Sequence, residues 1–276
     1  MIEMRPAEGA PREVIREGVG LHTGASSRVT LRLKAGPCIF RRSGRELALR
    51  DARVVGTDRA TTLDILGESV STVEHLFAAC GGLGVHEGLE IEVSGSELPL
   101  LDGAARSWCE ALREVGVRAS APRSEVARDE DVDIGESRYA FRRATGVCVA
   151  ITIDFGDARL TPSAEWHGDP DDFADRIAPA RTFAFRHEVE ALAARGLASH
   201  VTPESVVVID RDAVLFAGAA FSFDEPARHK LLDLVGDLFL YGGPPRGTIV
   251  AHRPGHRATS AAMRTAIERG IVRASG

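Results

Sequence analysis

The sequence predicts an α+β protein built from two similar units that face each other. Each half runs strands first and then a helix with a histidine near its start, His75 in one and His229 in the other. Strand-like alternation recurs in both halves, in Arg28-Val29-Thr30-Leu31-Arg32-Leu33 and again from Val147 to Phe155. A polar stretch from Arg118 to Asp131, containing Pro122, reads as the linker between them. The expected domains are residues 1–120 and 126–276. No repeat is detectable residue by residue, so the likeness of the halves is one of element order.

Composition narrows the function classes. The chain has 276 residues, 44% hydrophobic and 27% charged, ample for a globular core. A net charge of -6 without a long basic run gives no electrostatic drive toward nucleic acid. Cys38, Cys80, Cys109 and Cys148 are scattered, with no CxxC pair, so reduced thiols in a cytoplasmic protein are expected. The first residues, Met1 to Pro6, lack an apolar signal-like core, and no segment reaches the length of a membrane span. Peripheral membrane contact stays open.

Along the first half, Gly18 to Gly24 is too glycine-rich for a strand interior and reads as a bend. His22 within it is either a site residue or a histidine hydrogen-bonded inside a turn. Ser71-Thr72-Val73-Glu74-His75 reads as a helix start, with Ser71 as N-cap and Glu74 in the capping-box position. Glu74 beside His75 equally suits a general base next to a metal ligand. Gly81-Gly82 ends that helix, Leu89 to Val93 is a strand, and Glu97 to Ala104 is a loop into a helix reaching about Val115.

The second half opens with strands at Tyr139–Arg142 and Val147–Phe155, and Asp169 to Asp175 reads as an acidic loop. Ala180 to Phe185 leads to a helix over Glu188 to Ala194, closed by Gly196, and Ser205 to Asp210 is a buried strand. Gly247 to His252 is a strand, and Gly255-His256 leads into a last helix ending near Arg269.

Between them lies Arg228 to Asp237. At about 100° per residue, His229, Asp233 and Asp237 share one sector with Lys230 at its edge. Leu231, Leu232, Leu234 and Val235 fill the other side. Taken alone, an amphipathic helix with a solvated polar face is the simpler reading. A histidine and an aspartate one turn apart can also hold one metal ion.

Several segments taken together resemble the zinc-dependent UDP-3-O-acyl-N-acetylglucosamine deacetylases of lipid A synthesis, the LpxC family. They are Gly18 to Gly24, Ser71 to Leu76, Glu97 to Gly103, Ala180 to Phe183, Arg228 to Asp233, Gly236-Asp237 and Gly255-His256, in family order across nearly the whole chain. The resemblance implies two domains, each a β-sheet with a pair of helices, and an active site between them. It implies His75, His229 and Asp233 as ligands of Zn2+ with an open fourth position, as in catalytic zinc sites. It further implies Glu74 as general base, Thr182 as oxyanion contact, His256 as general acid and Asp237 as its orienting partner. Lys230 would meet the diphosphate, Phe183 would line the sugar site, and His22 would contact substrate. The substrate would be a UDP-linked acylated amino sugar, handled by a cytoplasmic monomer with possible peripheral membrane contact.

The chain departs from the family in three places. Ala198 to Ser205 replaces a Gly-Gly-Ser-Leu-(Asp/Glu)-Asn run in the element that shapes the acyl-chain passage. Gly156 to Leu160 lacks the usual His-Pro and Gly-Gln, and Ala258-Thr259 stands where the family carries an Asn pair. None touches an implied ligand or the base, so these departures bear on substrate and chain length. They leave room for a related zinc deacetylase of another acetamido sugar. A non-catalytic binding paralogue is disfavoured, because every implied ligand and acid–base residue is present. His86, His167, His187, His200 and His252 are read as surface or loop residues.

Overall fold

The structure, a computed structural model, describes residues 13–193 and 206–275. The first unit runs β1 (Glu13–Val19), β2 (Ser26–Pro37), β3 (Ile39–Arg42), β4 (Arg45–Ala48), then a small sheet of β5 (Arg53–Gly56), β6 (Thr62–Ile65) and β7 (Glu68–Val70). After it come α1 (Glu74–Gly82), β8 (Glu87–Val93) and α2 (Arg106–Val115). The second unit follows as β9 (Ser124–Val126), β10 (Glu130–Ile134), β11 (Ser137–Arg142), β12 (Val147–Thr152), β13 (Ser163–Trp166) and a short α3 (Pro170–Asp172). Next are β14 (Phe183–Phe185), α4 (Arg186–Ala193), β15 (Val207–Ile209), β16 (Val214–Leu215), α5 (Glu225–Phe239), β17 (Gly247–His252), α6 (His256–Glu268) and β18 (Val272–Ala274).

The likeness between the halves lies in topology. The first large sheet has the order β1-β2-β8-β3-β4 and the second β10-β11-β17-β12-β13. In each, the last strand slots into the centre, antiparallel to the second strand and parallel to the third. Each unit also carries a three-stranded insert ahead of its central strand, β5-β6-β7 in one and β14-β15-β16 in the other. Each large sheet is accompanied by a helix pair, α1 with α2 and α5 with α6. Among the described residues, no helix is long and apolar enough to cross a membrane.

The two units share one hydrophobic core, because the helices occupy the layer between the sheets. Every residue of α1 is buried, the condition of a helix enclosed on all sides. Phe40 of β3 meets Phe77 of α1 edge-on at 5.9 Å, and Phe77 stacks on Phe239 of α5 at 5.5 Å. An aromatic ladder thus runs from the first sheet through α1 to the second unit. By contrast α2 buries only one stripe, including Trp108, Ala111 and Leu112, and closes on Gly116 in the left-handed conformation (φ 84°).

Three expectations need correction. Ser71 caps nothing: α1 begins at Glu74 behind Val73, and the Ser71 hydroxyl lies 3.4 Å from the Ser96 carbonyl. The approach to the helix is turned instead by Thr72 at φ 56°. The acidic run after Asp169 is helical, since the Asp169 carboxylate accepts from the amides of Asp171 and Asp172 and Pro170 opens the turn. It continues as a wider π-type turn, Phe173–Ile177, whose apolar side is buried. The expected linker contains β9, which pairs antiparallel with β18 at the other end of the chain; three residues of alternation inside a polar run carried too little signal. The altered run Ala198 to Ser205, His200 and the Ala194–Gly196 helix end lie outside the described residues.

At the α1–α5 contact, a Cβ on Gly236 would sit 2.1 Å from the Glu74 carbonyl oxygen, a backbone atom with little room to yield. Gly236→Ala is therefore expected to destabilise by about 1–3 kcal/mol, despite alanine's better helix propensity of about 1 kcal/mol. Thermal unfolding should show a fall in Tm of several degrees, while Gly146→Ala, which meets nothing within 4 Å, should show none. An unchanged Tm for Gly236→Ala would show that the helices are free to separate.

Candidate active site

The close crossing brings the first turn of α1 against α5 at Gly236, and the polar sector of α5 is buried there. His229, Asp233 and Asp237 are each 5% exposed or less. The ligand atoms of His75, His229 and Asp233 lie within 4.8 Å of one another. His229 Nε2 is 3.5 Å and His75 Nε2 3.8 Å from Asp233 Oδ1, too long for hydrogen bonds. Donors at zinc–ligand distances in a tetrahedron stand about 3.4 Å apart, so these spacings suit a cation between them.

The donor chemistry fits as well. His229 Nδ1 lies 3.0 Å from the Ala180 carbonyl; a carbonyl only accepts, so Nδ1 carries the proton and Nε2 presents its lone pair. Burial, reinforced by the neighbouring His229, pushes His75 down to about 3, which keeps its imidazole neutral. Burial works against ionisation of Asp233, but Lys230 and the surrounding histidines outweigh it and hold the carboxyl well below the usual range. Two neutral imidazoles and one carboxylate are a coherent set for a divalent metal.

Glu74 and His256 flank this cluster. His256 Nδ1 meets Asp237 Oδ2 at 2.9 Å, and its Nε2 lies 3.9 Å from Glu74 Oε1 and 4.0 Å from Asp233 Oδ2. Burial opposes charge on His256, yet Asp237 and the other carboxylates prevail and raise it to about 9. Burial raises Glu74 to about 7, partly offset by His256. A carboxyl poised near neutrality and an imidazolium therefore face the same space.

Thr61 was missed in the sequence. Its amide donates to Glu74 Oε2 at 3.0 Å and its hydroxyl donates to Asp237 Oδ1 at 2.7 Å, so one residue of the first insert's edge holds groups from both units. Glu74 is thus committed to Thr61, and the capping-box reading falls. Glu225 was also unseen: it accepts from the Arg181 backbone and guanidinium, at 3.1 and 2.8 Å, and fastens Ala180–Thr182 to the start of α5. The Thr182 amide donates to Gly103 at 2.6 Å, docking the first unit's Glu97–Gly103 loop. A lone threonine or glutamate has no spacing signature that would reveal such partners.

The cluster lines a cavity of about 520 Å³. Lys230, Thr182, Phe183 and Leu21 line it, with Lys230 Nζ bonded to Asp233 Oδ2 at 2.7 Å. Phe183 meets the His229 ring edge-on at 6.0 Å. His22, next to Leu21, gives its amide to Glu97 at 2.9 Å; the same buried carboxylate accepts from Thr23 and Thr72 and so shapes the bend. One histidine differs from expectation, His86, which is buried against Phe239; His187 is exposed as expected, and stacked on Phe185 it also lines this cavity.

Thr61→Val keeps the shape of the side chain and removes the hydroxyl that Asp237 accepts from. A buried carboxylate losing a donor costs about 1–3 kcal/mol. Chemical denaturation should show that loss, and a variant as stable as the parent would mean that the Thr61–Asp237 bond contributes nothing.

Relatives are consistent with this geometry. The family described as UDP-3-O-acyl N-acetylglycosamine deacetylase matches residues 10–268. The UDP-3-O-acyl-N-acetylglucosamine deacetylase of Phenylobacterium zucineum is 39% identical over 90% of this chain and 88% of its own length. The proteins of that name from Anaeromyxobacter dehalogenans and Synechocystis sp. are each 36% identical, over 90% and 87% of this chain and 82% and 91% of theirs. With the family match spanning nearly the whole chain, this protein belongs to the LpxC family of UDP-3-O-acyl-N-acetylglucosamine deacetylases.

Proposed function

We propose that this chain hydrolyses the N-acetyl group of a UDP-3-O-acyl-N-acetylglucosamine, releasing acetate and the free amine, the committed step of lipid A synthesis. The observation that carries the reading is the meeting of three side chains able to hold a metal ion, a carboxyl raised toward neutrality and a histidine raised above it, all lining one cavity. His75, His229 and Asp233 would hold Zn2+, which when bound supplies Lewis-acid polarisation of the amide and activation of water.

The rest falls to the chain's own residues. Glu74, held by Thr61 and raised by burial, takes the proton of the attacking water as general base. Thr182 donates its hydroxyl to the oxyanion as the carbonyl becomes tetrahedral, a contact of a kind worth about 3 kcal/mol. His256, with Nδ1 engaged by Asp237, presents Nε2–H to the departing nitrogen as general acid. Amine expulsion needs that proton, because an amide anion is too poor a leaving group. Lys230 meets the diphosphate, Phe183 packs against the sugar, and the bend carrying His22 closes the substrate end. The enzyme would act as a cytoplasmic monomer reaching its lipid-bearing substrate by peripheral contact with the membrane.

Glu74→Ala should retain metal, measured by elemental analysis, and lose most turnover, of order a hundredfold or more for a general base; full turnover would remove Glu74 from that role. His229→Ala should lose metal and activity together, and an unchanged metal content would defeat its assignment as ligand. The substrate is tested by assaying the metal-loaded protein on acylated and non-acylated UDP-N-acetylglucosamine. Preference for the acylated sugar supports the reading, whereas preference for the other would favour a related deacetylase of different specificity.

A further inference from the structure

A second cavity, of about 640 Å³, lies between Leu49 and Arg50 of the first unit and Tyr241, Ile267 and Arg273 of the second. It sits at the C-terminal end of α5 and shares no lining residue with the candidate active site. Its wall is mainly apolar, built from Leu49, Phe239, Ile267 and Val272, and His86 stacks on Phe239 at 5.5 Å. Burial, with the charge of Arg123 nearby, pushes His86 down to about 4, so its ring adds no positive charge.

Three polar groups stand out against that wall, the Arg123 guanidinium and the hydroxyls of Ser124 and Ser275. Ser124 is 3% exposed and its hydroxyl has no hydrogen-bond partner among the described residues. Beside it, the nearest carboxylate to the Arg123 guanidinium among the described residues is Glu87, at 3.7 Å, beyond hydrogen-bond reach. The other two arginines differ: Arg273 is bonded to Glu125 at 2.8 Å, and Arg50 is largely exposed next to Asp51. The cavity therefore offers one partly enclosed arginine without a hydrogen-bonded carboxylate, Arg123, and two buried hydroxyls without a partner among the described residues, those of Ser124 and Ser275, at the edge of an apolar chamber. Buried polar groups are retained unpaired at a cost that a ligand can remove, and pockets of this size and polarity are typical of small-molecule sites.

We propose that this cavity binds an amphipathic monocarboxylate, its head on Arg123 and Ser124 and its apolar body along Leu49, Phe239 and Val272. A carboxylate matches the planar donor edge of a guanidinium and needs a single countercharge. Arg50 also stands beyond hydrogen-bond reach of its nearest carboxylate, Asp51 at 3.9 Å, but it is 74% exposed, so a dianionic phosphate would find only one partly enclosed arginine here. The site is independent of the deacetylase chemistry.

Calorimetric titration with dodecanoate, dodecanol and inorganic phosphate tests this, on the parent and on Arg123→Gln, Arg123→Lys, Ser124→Ala and Lys230→Ala. Equal melting temperatures for the parent and the Arg123 variants establish that they fold. Dodecanoate binding should weaken at least tenfold in Arg123→Gln, fall to a lesser degree in Ser124→Ala and persist in Arg123→Lys. It should be unchanged in Lys230→Ala, which separates this cavity from the active site. Absence of dodecanoate binding to the parent, or equal affinity in Arg123→Gln, overturns the proposal. So does phosphate binding that Arg123→Gln abolishes, since the head group would then be the wrong one.

Discussion

The contact on which the rest depends is the crossing of α1 over α5 at Gly236. Packed helices with ordinary side chains stand about 8–10 Å apart. Here the missing side chain lets α5 press against the Glu74 carbonyl, and Gly81 meets Val235 in the same interface. Residues able to hold one metal ion must converge within a few ångströms, and of this candidate set His75 comes from one helix while His229 and Asp233 come from the other. A methyl group at the crossing would hold the helices apart by more than that geometry tolerates. The same closeness leaves α1 without a solvated face, so every polar atom at its start needs a protein partner.

That requirement explains the density of ionic contacts around the cluster. Glu74, Asp233, Asp237, Lys230 and His256 are all buried or half-buried within one small volume. Isolated buried charges are prohibitively costly, and even paired ones contribute little net stability. Their arrangement is one of mutual compensation: Lys230 on Asp233, His256 on Asp237, Thr61 on both Glu74 and Asp237. A folded core that carries such a group of charges must be held by its apolar surroundings. The ladder from Phe40 through Phe77 to Phe239 and the two flanking sheets supply that frame.

The duplicated topology puts equivalent parts to different uses. Both inserts stand ahead of the central strand of their sheet, yet the first brings Thr61 beneath the cluster while the second follows Thr182 and brings Phe183 along the cavity wall. The loop from Glu97 to Gly103 joins the two, with Glu97 holding the His22 bend and Gly103 receiving the Thr182 amide. The loop thus ties both sides of the cavity together, although it contributes none of the candidate metal donors.

By itself the sequence determined the element order, the two-unit plan and the residues that converge, because periodicity and local motifs are short-range properties written along the chain. His75, His229, Asp233, Glu74, Asp237 and His256 were all legible, the polar sector of α5 and the Glu74–His75 pair from the residues themselves, His256 only through resemblance to a family. Tertiary structure decided what those residues are bonded to. Thr61, Glu225 and the Ala180 carbonyl act across separations of 13 to 176 residues, and ordinary residues at such distances leave no local pattern. It also decided that the Glu74 carboxylate accepts from Thr61 instead of capping a helix and that the polar side of α5 faces inward. A helical sector of His and Asp reads the same in water or in a cleft, and only the approach of a second helix distinguishes the two.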